Sequence, residues 1–431
     1  MQIKSVLREA KRVSCLTFCL LFSFSVLVFA KEKIPKPSKV EIRKYKDSRY
    51  RLLVNRRDYA IKGVCYNPIP IGEGYDYDFF KDARKPWLVD GELMKQAGIN
   101  TIRLYQSSED TEAVKELISD LYNKFGIRTI LGNWLGFWNY PGPCYGDEGF
   151  CERVKEEVLD MVRAYKDEPG ILFWVLGNEN NYTFDGRIRP WSTEDIDKMD
   201  CPMKQKFERA RLYYSFVNEL AKEIKQIDPN HPVCLGNGEL IGLETANEVC
   251  PDIDIVGVIV YRGKTFGNMF KGVKNYFDRP IVFIEFGADS YDAYLDKEDQ
   301  NIQSFFLEAQ WVEIYKNMFK SREGEGNCLG GFMFEYSDEW WKYNEYNVQG
   351  WLEHDRTSNW SNGAYYFDIK AKNNKNMNEE WFGIVGLKKC EVEGNLDLRT
   401  PKKSYFVLRE FWKNPVKRIR EIKNEKKNMR R

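Results

Sequence analysis

Two glutamates stand where apolar strands should run on. Glu179 ends the stretch ILFWVLGNE, residues 171–179, and Glu285 interrupts VFIEFG, residues 282–287. A carboxylate in such surroundings is costly unless it is paired or put to use. The two lie 106 residues apart in the chain, so only a fold can bring them together. Two carboxyl groups facing one cleft suit cleavage of the acetal link between sugars. One, kept protonated, gives its proton to the leaving oxygen; the other, ionised, attacks the anomeric carbon. A cation close to the attacking carboxylate keeps it charged, and Arg103 in NTIRLYQ is the candidate. Tyr261 can hydrogen-bond to the same group, and Asn178 can hold a sugar hydroxyl. Tyr105, Trp134, Trp340 and Trp341 complete the expected substrate-binding set, the indoles as faces on which sugar rings stack.

Composition excludes much else. Only His231 and His354 offer imidazoles, and no CxxC pair exists, so a zinc site and Ser-His-Asp chemistry have little to work with. No metal or other cofactor is expected. Twelve Trp, 25 Tyr and 27 Phe exceed the needs of a core and leave aromatic faces for sugars, cofactor rings or a partner. The first thirty residues carry Lys4, Arg8, Lys11 and Arg12, then an uncharged apolar run that ends at Ala30. That order fits a cleavable secretory signal or a retained N-terminal anchor. The rest of the chain is then expected to be secreted, periplasmic or at the cell surface, or tied to a membrane through this segment. Without residues 1–30 the formal charge moves from +1 to −2, because four basic groups and Glu9 are lost. A near-neutral body argues against a nucleic-acid partner. Eight cysteines remain, an even number that permits disulfides in an exported chain. Cys144 and Cys151, in CYGDEGFC, form the expected local pair. Asn181 and Asn359 stand in N-x-[ST] contexts.

The elements that must position the two glutamates follow from periodicity. Residues 31–58 read as a polar lead-in, with YRLLVN and YAIKGVCYN set to form a hairpin into the first strand. Short apolar strands are expected at 59–66, 100–106, 127–135, 170–179, 231–238, 252–261, 279–287 and 329–337. Amphipathic helical stretches separate most of them. Eight such repeats predict an α/β fold, a closed (β/α)8 TIM barrel over residues 59–415, with long loops at 136–152, 181–203 and 338–365 walling a cleft. Residues 416–431 read as a basic tail. A doubly wound open sheet is the alternative, but YNPIPIGEG after the first strand is no GxGxxG loop. In a barrel the site sits at the C-terminal strand ends, where Glu179 and Glu285 fall; Glu335 and Glu339 also lie near that mouth and read as subsite or structural groups.

With LGNEN at the end of strand four, VFIEFGAD at strand seven, Arg103 at strand two and Tyr261 after strand six, the chain resembles the retaining glycoside hydrolases of clan A. The resemblance implies Glu179 as acid/base and Glu285 as nucleophile. IKGVCYNP, MKQAGINTIRLYQ and the late EEWFGIVG resemble the barrel domain of family 2 β-glycosidases. GGFMFEYSDEWW and IRLYQ are similar to the family 72 β-1,3-glucanosyltransferases. The resemblance implies a retaining β-glycoside hydrolase acting on a β-linked glucan or related oligo- or polysaccharide, or a transglycosylase. A non-enzymatic carbohydrate-binding protein would keep the tryptophans without needing both glutamates.

Overall fold

The computed structural model describes residues 36–293, 295–342, 350–356 and 377–428. The chain divides into two units, residues 1–36 and 37–431. The leader expected at 1–30, Asn359 and much of the loop expected at 338–365 lie outside the described residues. No helix among the described residues is long and apolar enough to cross a membrane.

The second unit is a (β/α)8 barrel. Its eight parallel strands are Ile61–Cys65, Thr101–Leu104, Arg128–Asn133, Ile171–Leu176, Val233–Gly238, Ile255–Ile259, Ile281–Gly287 and Cys328–Phe334. They close in sequence order, the eighth pairing with the first through Gly330–Ile61 and its neighbours. The helices Pro86–Ala97, Thr111–Asp120, Glu148–Tyr165, Pro202–Ile227, Leu243–Val249, Met269–Tyr276 and Gln300–Lys316 fill the seven connections, and Lys403–Lys413 packs beside the last of these. Several starts are set by acidic caps. Asp110 accepts from the Ala113 amide at 3.1 Å and Asp147 from the Phe150 amide at 2.6 Å, which satisfies donors that the first helical turn leaves open.

Alternation along each strand divides the core. In the fourth, Trp174 and Leu176 pack among the outer helices, while Phe173 and Val175 fill the barrel with Ile130, Ile284 and Phe332. Such a fully buried run reads as continuous apolar sequence, which is why these strands were visible in the text.

The lead-in differs from the expected hairpin. Val40–Lys44, Tyr50–Val54 and Arg57–Asp58 form an antiparallel sheet of their own. The first barrel strand has no free edge for Tyr50–Val54, since both its sides are taken by the second and eighth strands. Instead Val40, Tyr50, Leu52 and Val54 pack onto the interior cluster beside Ile61 and Leu329, closing the end where the strands begin. At the other terminus, residues 415–428 are helical, and Arg418 grips Glu308 with Nε and Nη2 at 2.6 and 3.0 Å.

The expected disulfide is absent: all eight cysteines among the described residues are free thiols. Cys151 lies in the first turn of Glu148–Tyr165, and its Sγ donates to the Tyr145 carbonyl, whereas Cys144 Sγ donates to the Ser192 carbonyl. The two side chains serve different backbones. Cys65, Cys234, Cys250 and Cys328 are buried singly in the core, and burial raises each thiol above its ordinary range, Cys65 to about 12.

Candidate active site

Glu285 reaches the mouth of the barrel through an irregular strand. Along Ile281–Gly287, Phe283 and Phe286 face the helices and Ile284 faces the interior. Pairing with the sixth strand slips between Phe283 and Glu285. Glu285 therefore follows Ile284 on the inner side instead of alternating outward, as a bulge re-aims a side chain.

Three donors meet it there. Arg103 Nη1 donates to Glu285 Oε1 at 2.8 Å, Tyr105 Oη donates to the same oxygen at 2.8 Å, and Tyr261 Oη donates to Oε2 at 3.0 Å. Arg103 is 2% exposed, and its guanidinium lies 4.1 Å from the centroid of the Tyr105 ring. Burial works against the arginine's charge, but the Glu285 carboxylate beside it outweighs this and holds the guanidinium protonated. Burial, followed by neighbouring acidic groups, pushes both phenols well above their ordinary range, so Tyr105 and Tyr261 remain donors.

Glu179 has the opposite surroundings. The fourth strand ends in a turn with positive φ at Gly177 (78°) and at Glu179 itself (60°). Positive φ is uncommon for a residue with a side chain and gathers at functional sites. The turn is held by Asn180, which is fully buried. Its Oδ1 accepts from the Asn178 amide at 2.6 Å, and its Nδ2 donates to Tyr145 Oη at 2.6 Å and to the Trp134 carbonyl at 3.0 Å. Asn181 spans to the fifth strand, donating to the Gly238 carbonyl and accepting from the Gly238 amide, both at 2.8 Å. Its amide is thus consumed inside the fold. Burial raises the Glu179 carboxyl well above the ordinary range. The charge of Glu285 adds to this more than any other, Glu379 adds further, and Arg103 opposes them. Arg103 also joins the two arms of the site, since its Nη2 donates to Asn178 Oδ1 at 2.6 Å.

The expected tryptophans divide. Trp134 lies flat on Tyr105, with centroids 5.2 Å apart and planes within 12°, and meets Trp138 edge-on at 6.0 Å. Trp138 is 59% exposed, so the aromatic run reaches from Glu285's own ligand to solvent. Trp340 stacks on His354, which stacks on Trp381, with centroids 4.6 and 3.5 Å apart. The Trp341 ring carries the Lys342 ammonium at 5.0 Å.

Sequence reasoning missed two groups. Asn180 is the first, though its place beside Asn178 and Glu179 in GNENN hinted at it. The second is the part of a wall of charge that lies beyond Glu335 and Glu339, namely Lys342 and Glu379. Lys342 Nζ lies 3.2 Å from Glu339 Oε2 and 3.0 Å from Glu379 Oε2, and Asn67 Nδ2 donates to Glu339 Oε1 at 3.3 Å. Burial raises Glu379 to about 7 even with Lys342 beside it. Glu335 is 1% exposed, and neither of its carboxyl oxygens has a hydrogen-bond partner among the described residues. Burial, then the charge of Glu339, pushes it well above the ordinary range.

The closed parallel barrel that carries these groups matches solved (β/α)8 structures in fold. Solved structures of like fold include a GH2 β-galacturonidase from Eisenbergiella tayi bound to galacturonate. It is 18% identical with a TM-score of 0.53, over 86% of this chain and 54% of that one. A Bacteroides uniformis β-glucuronidase is 18% identical with a TM-score of 0.54, over 86% and 37%. Saccharomyces cerevisiae Gas2p, solved with laminaritetraose and laminaripentaose, is 16% identical with a TM-score of 0.52, over 88% and 68%. Among curated proteins, a β-glucuronidase of Bacteroides fragilis is 32% identical over 97 residues, which is 21% of this chain and 12% of that protein. The chain thus spans about an eighth of that relative's length and about half or less of the two bacterial enzymes'. No family model matches the chain.

Proposed function

We propose that this chain is a retaining β-glycoside hydrolase that cleaves a β-linked polysaccharide by double displacement. One observation carries the reading: two glutamates stand at one barrel mouth in unlike surroundings. Glu285 accepts from Arg103, Tyr105 and Tyr261, whereas burial keeps the proton on Glu179. Environments that separate two carboxyl groups in this way assign the acid and the nucleophile.

In the first step a Glu285 oxygen bonds to the anomeric carbon as the glycosidic C–O bond breaks, and Glu179 gives its proton to the departing oxygen. In the second step Glu179, now ionised, takes a proton from water. The resulting hydroxyl bonds to the anomeric carbon, and the ester to Glu285 breaks. Asn178, held by Arg103, can receive the hydroxyl next to the reacting carbon, a bond that strengthens as positive charge grows on the ring.

A sugar hydroxyl in place of water in the second step gives transglycosylation. The Trp134–Trp138 run favours this second reading, because an aromatic lip holds an acceptor chain beside the ester. That a structure of like fold holds laminari-oligosaccharides supports a β-linked glucan as the polymer.

The test is incubation with aryl β-glycosides and a panel of β-glucans, with products sized and the anomer of the first product read by NMR. Retained configuration, lost in Glu285→Gln, supports the reading, and products longer than the substrate assign transfer. A folded wild-type chain that turns over none of them ends it.

A further inference from the structure

We propose that Glu335, Glu339, Glu379 and Lys342 form the wall that receives the reacting sugar ring, and that this wall selects a neutral sugar and rejects a uronic acid. The inference rests on the glycosidase reading of the same mouth and adds the class of ring it takes.

The wall adjoins the pair. Lys342 Nζ lies 5.5 Å from the centroid of the Phe334 ring, and that ring meets Tyr261, a donor to Glu285, edge-on at 6.3 Å. Glu335 follows directly on the eighth strand, Cys328–Phe334. Its amide donates to the Phe382 carbonyl at 3.4 Å, and the next amide, of Tyr336, donates to the carbonyl of Cys65, at the end of the first strand, at 3.1 Å. Cys65 belongs to the interior cluster, and its Sγ meets the Ile284 carbonyl. Glu335 is therefore aimed into the barrel mouth.

Its two carboxyl oxygens are buried without partners among the described residues. Buried polar groups are nearly always satisfied, and an exception asks for an explanation such as a ligand. A protonated carboxyl offers one donor and one acceptor, which matches a sugar hydroxyl. A carboxylate ligand has only acceptors to offer.

Charge points the same way. Lys342 is the one cation facing this wall among the described residues, and it is already shared between Glu339 and Glu379. Among the described residues Arg103 is engaged by Glu285, and Lys342 by Glu339 and Glu379. A uronic carboxylate would come up against this acidic wall with its nearest cation already shared, in a buried site where like charges repel far more than in bulk. The uronate-directed proteins of similar fold thus differ from this chain in the ring it takes.

The experiment is calorimetric titration of the full chain at pH 7 with the non-hydrolysable 4-nitrophenyl 1-thio-β-D-glucoside, 1-thio-β-D-galactoside and 1-thio-β-D-glucuronide. At least one neutral ligand is expected to bind at least about tenfold tighter than the glucuronide, as one like-charge contact and lost hydrogen bonds predict. Glu335→Gln is expected to keep the preference for a neutral ring but to change its affinity by a factor of about 2–10, the range of one hydrogen bond. Glu339→Gln, which removes a wall charge without touching the reacting pair, should narrow the neutral-to-uronic ratio. Both variants are checked for a cooperative unfolding transition, and either suffices if the other fails to fold. Equal or tighter binding of the glucuronide, no binding of any of the three, or ratios unmoved in every folded variant overturns the inference. Binding of the thioglycosides without turnover of any O-glycoside would sink the hydrolase reading alone. Turnover of glucuronides in preference to neutral glycosides would sink this inference alone.

Discussion

Arg103 Nη2 and Asn178 Oδ1 are 2.6 Å apart, and this contact ties the end of the second strand to the turn that carries Glu179. The other terminal nitrogen of the same guanidinium holds Glu285. One planar fork therefore sets the spacing of both halves of the site. Arg103→Lys would keep a cation near Glu285 but cannot make both bonds, because an ammonium lacks the fixed fork. We expect kcat/KM to fall about 10–100-fold, the range for losing a hydrogen bond to a charged group. KM should change less than kcat. Steady-state kinetics with an aryl β-glycoside checks this, and a change confined to KM would contradict it.

Glu179→Gln should reduce turnover of natural glycosides by about 10²–10⁴-fold, the usual contribution of a general acid. Substrates with acidic phenol leaving groups need little protonation and should lose far less in the bond-breaking step. In the wild type the acid must hold its proton, and burial raises the carboxyl that carries it. kcat/KM should therefore decline as pH rises through that elevated value. The alkaline limb should vanish in Glu179→Gln when the leaving group is good. A pH profile of both proteins decides the matter.

Stability should also fall as the solution becomes alkaline. Glu379 is raised to about 7 and Glu335 well above the ordinary carboxyl range, burial being the main cause for each. The folded chain thus holds protons that the unfolded chain releases near pH 4.5. Their stabilising contribution is complete below that value and is lost as pH rises through the folded values. Unfolding free energy from urea titration should decline between about pH 5 and 8. The decline should be shallower in Glu335→Gln, whose amide cannot ionise. An unchanged slope in that variant would place the titration elsewhere.

Trp138→Ala removes the exposed end of the aromatic run while leaving Trp134 on Tyr105. An aromatic contact of this kind is worth about 0.5–1.5 kcal/mol. We expect KM for a long β-glucan to rise about 2–10-fold, with kcat and the kinetics of a short aryl glycoside unchanged. Equal effects on long and short substrates would rule out a chain-binding lip.

Much of this was legible in the sequence, for physical reasons that also mark where legibility ends. All eight strands lie within or against their expected spans because strands buried on both faces must be continuously apolar, as in ILFWVL. Glu179 and Glu285 were visible as breaks in that continuity. Arg103 and Tyr105 were visible because alternation puts both on one face of a short strand. Glu379 was not, since EEW sits in a loop-like stretch and reaches the mouth only through the closed barrel. Glu335 and Glu339 were seen near the mouth, but their shared dependence on Lys342 is a tertiary fact with no spacing signal. Cys144 and Cys151 show the reverse error: closeness in sequence says nothing about where a helix's first turn aims a thiol. The Tyr50–Val54 strand was recognised, but its partner was not, because pairing depends on which edges the barrel leaves free.

The layered rings of Trp340, His354 and Trp381 give the molecule a built-in optical gauge. Burial pushes the imidazole down to about 3, so the slab between the two indoles carries no charge from mildly acidic to alkaline pH. Near-ultraviolet dichroism from these coupled chromophores should therefore follow the packing of the rim and ignore acid titration, which makes it a clean optical readout of whether that side of the mouth has assembled.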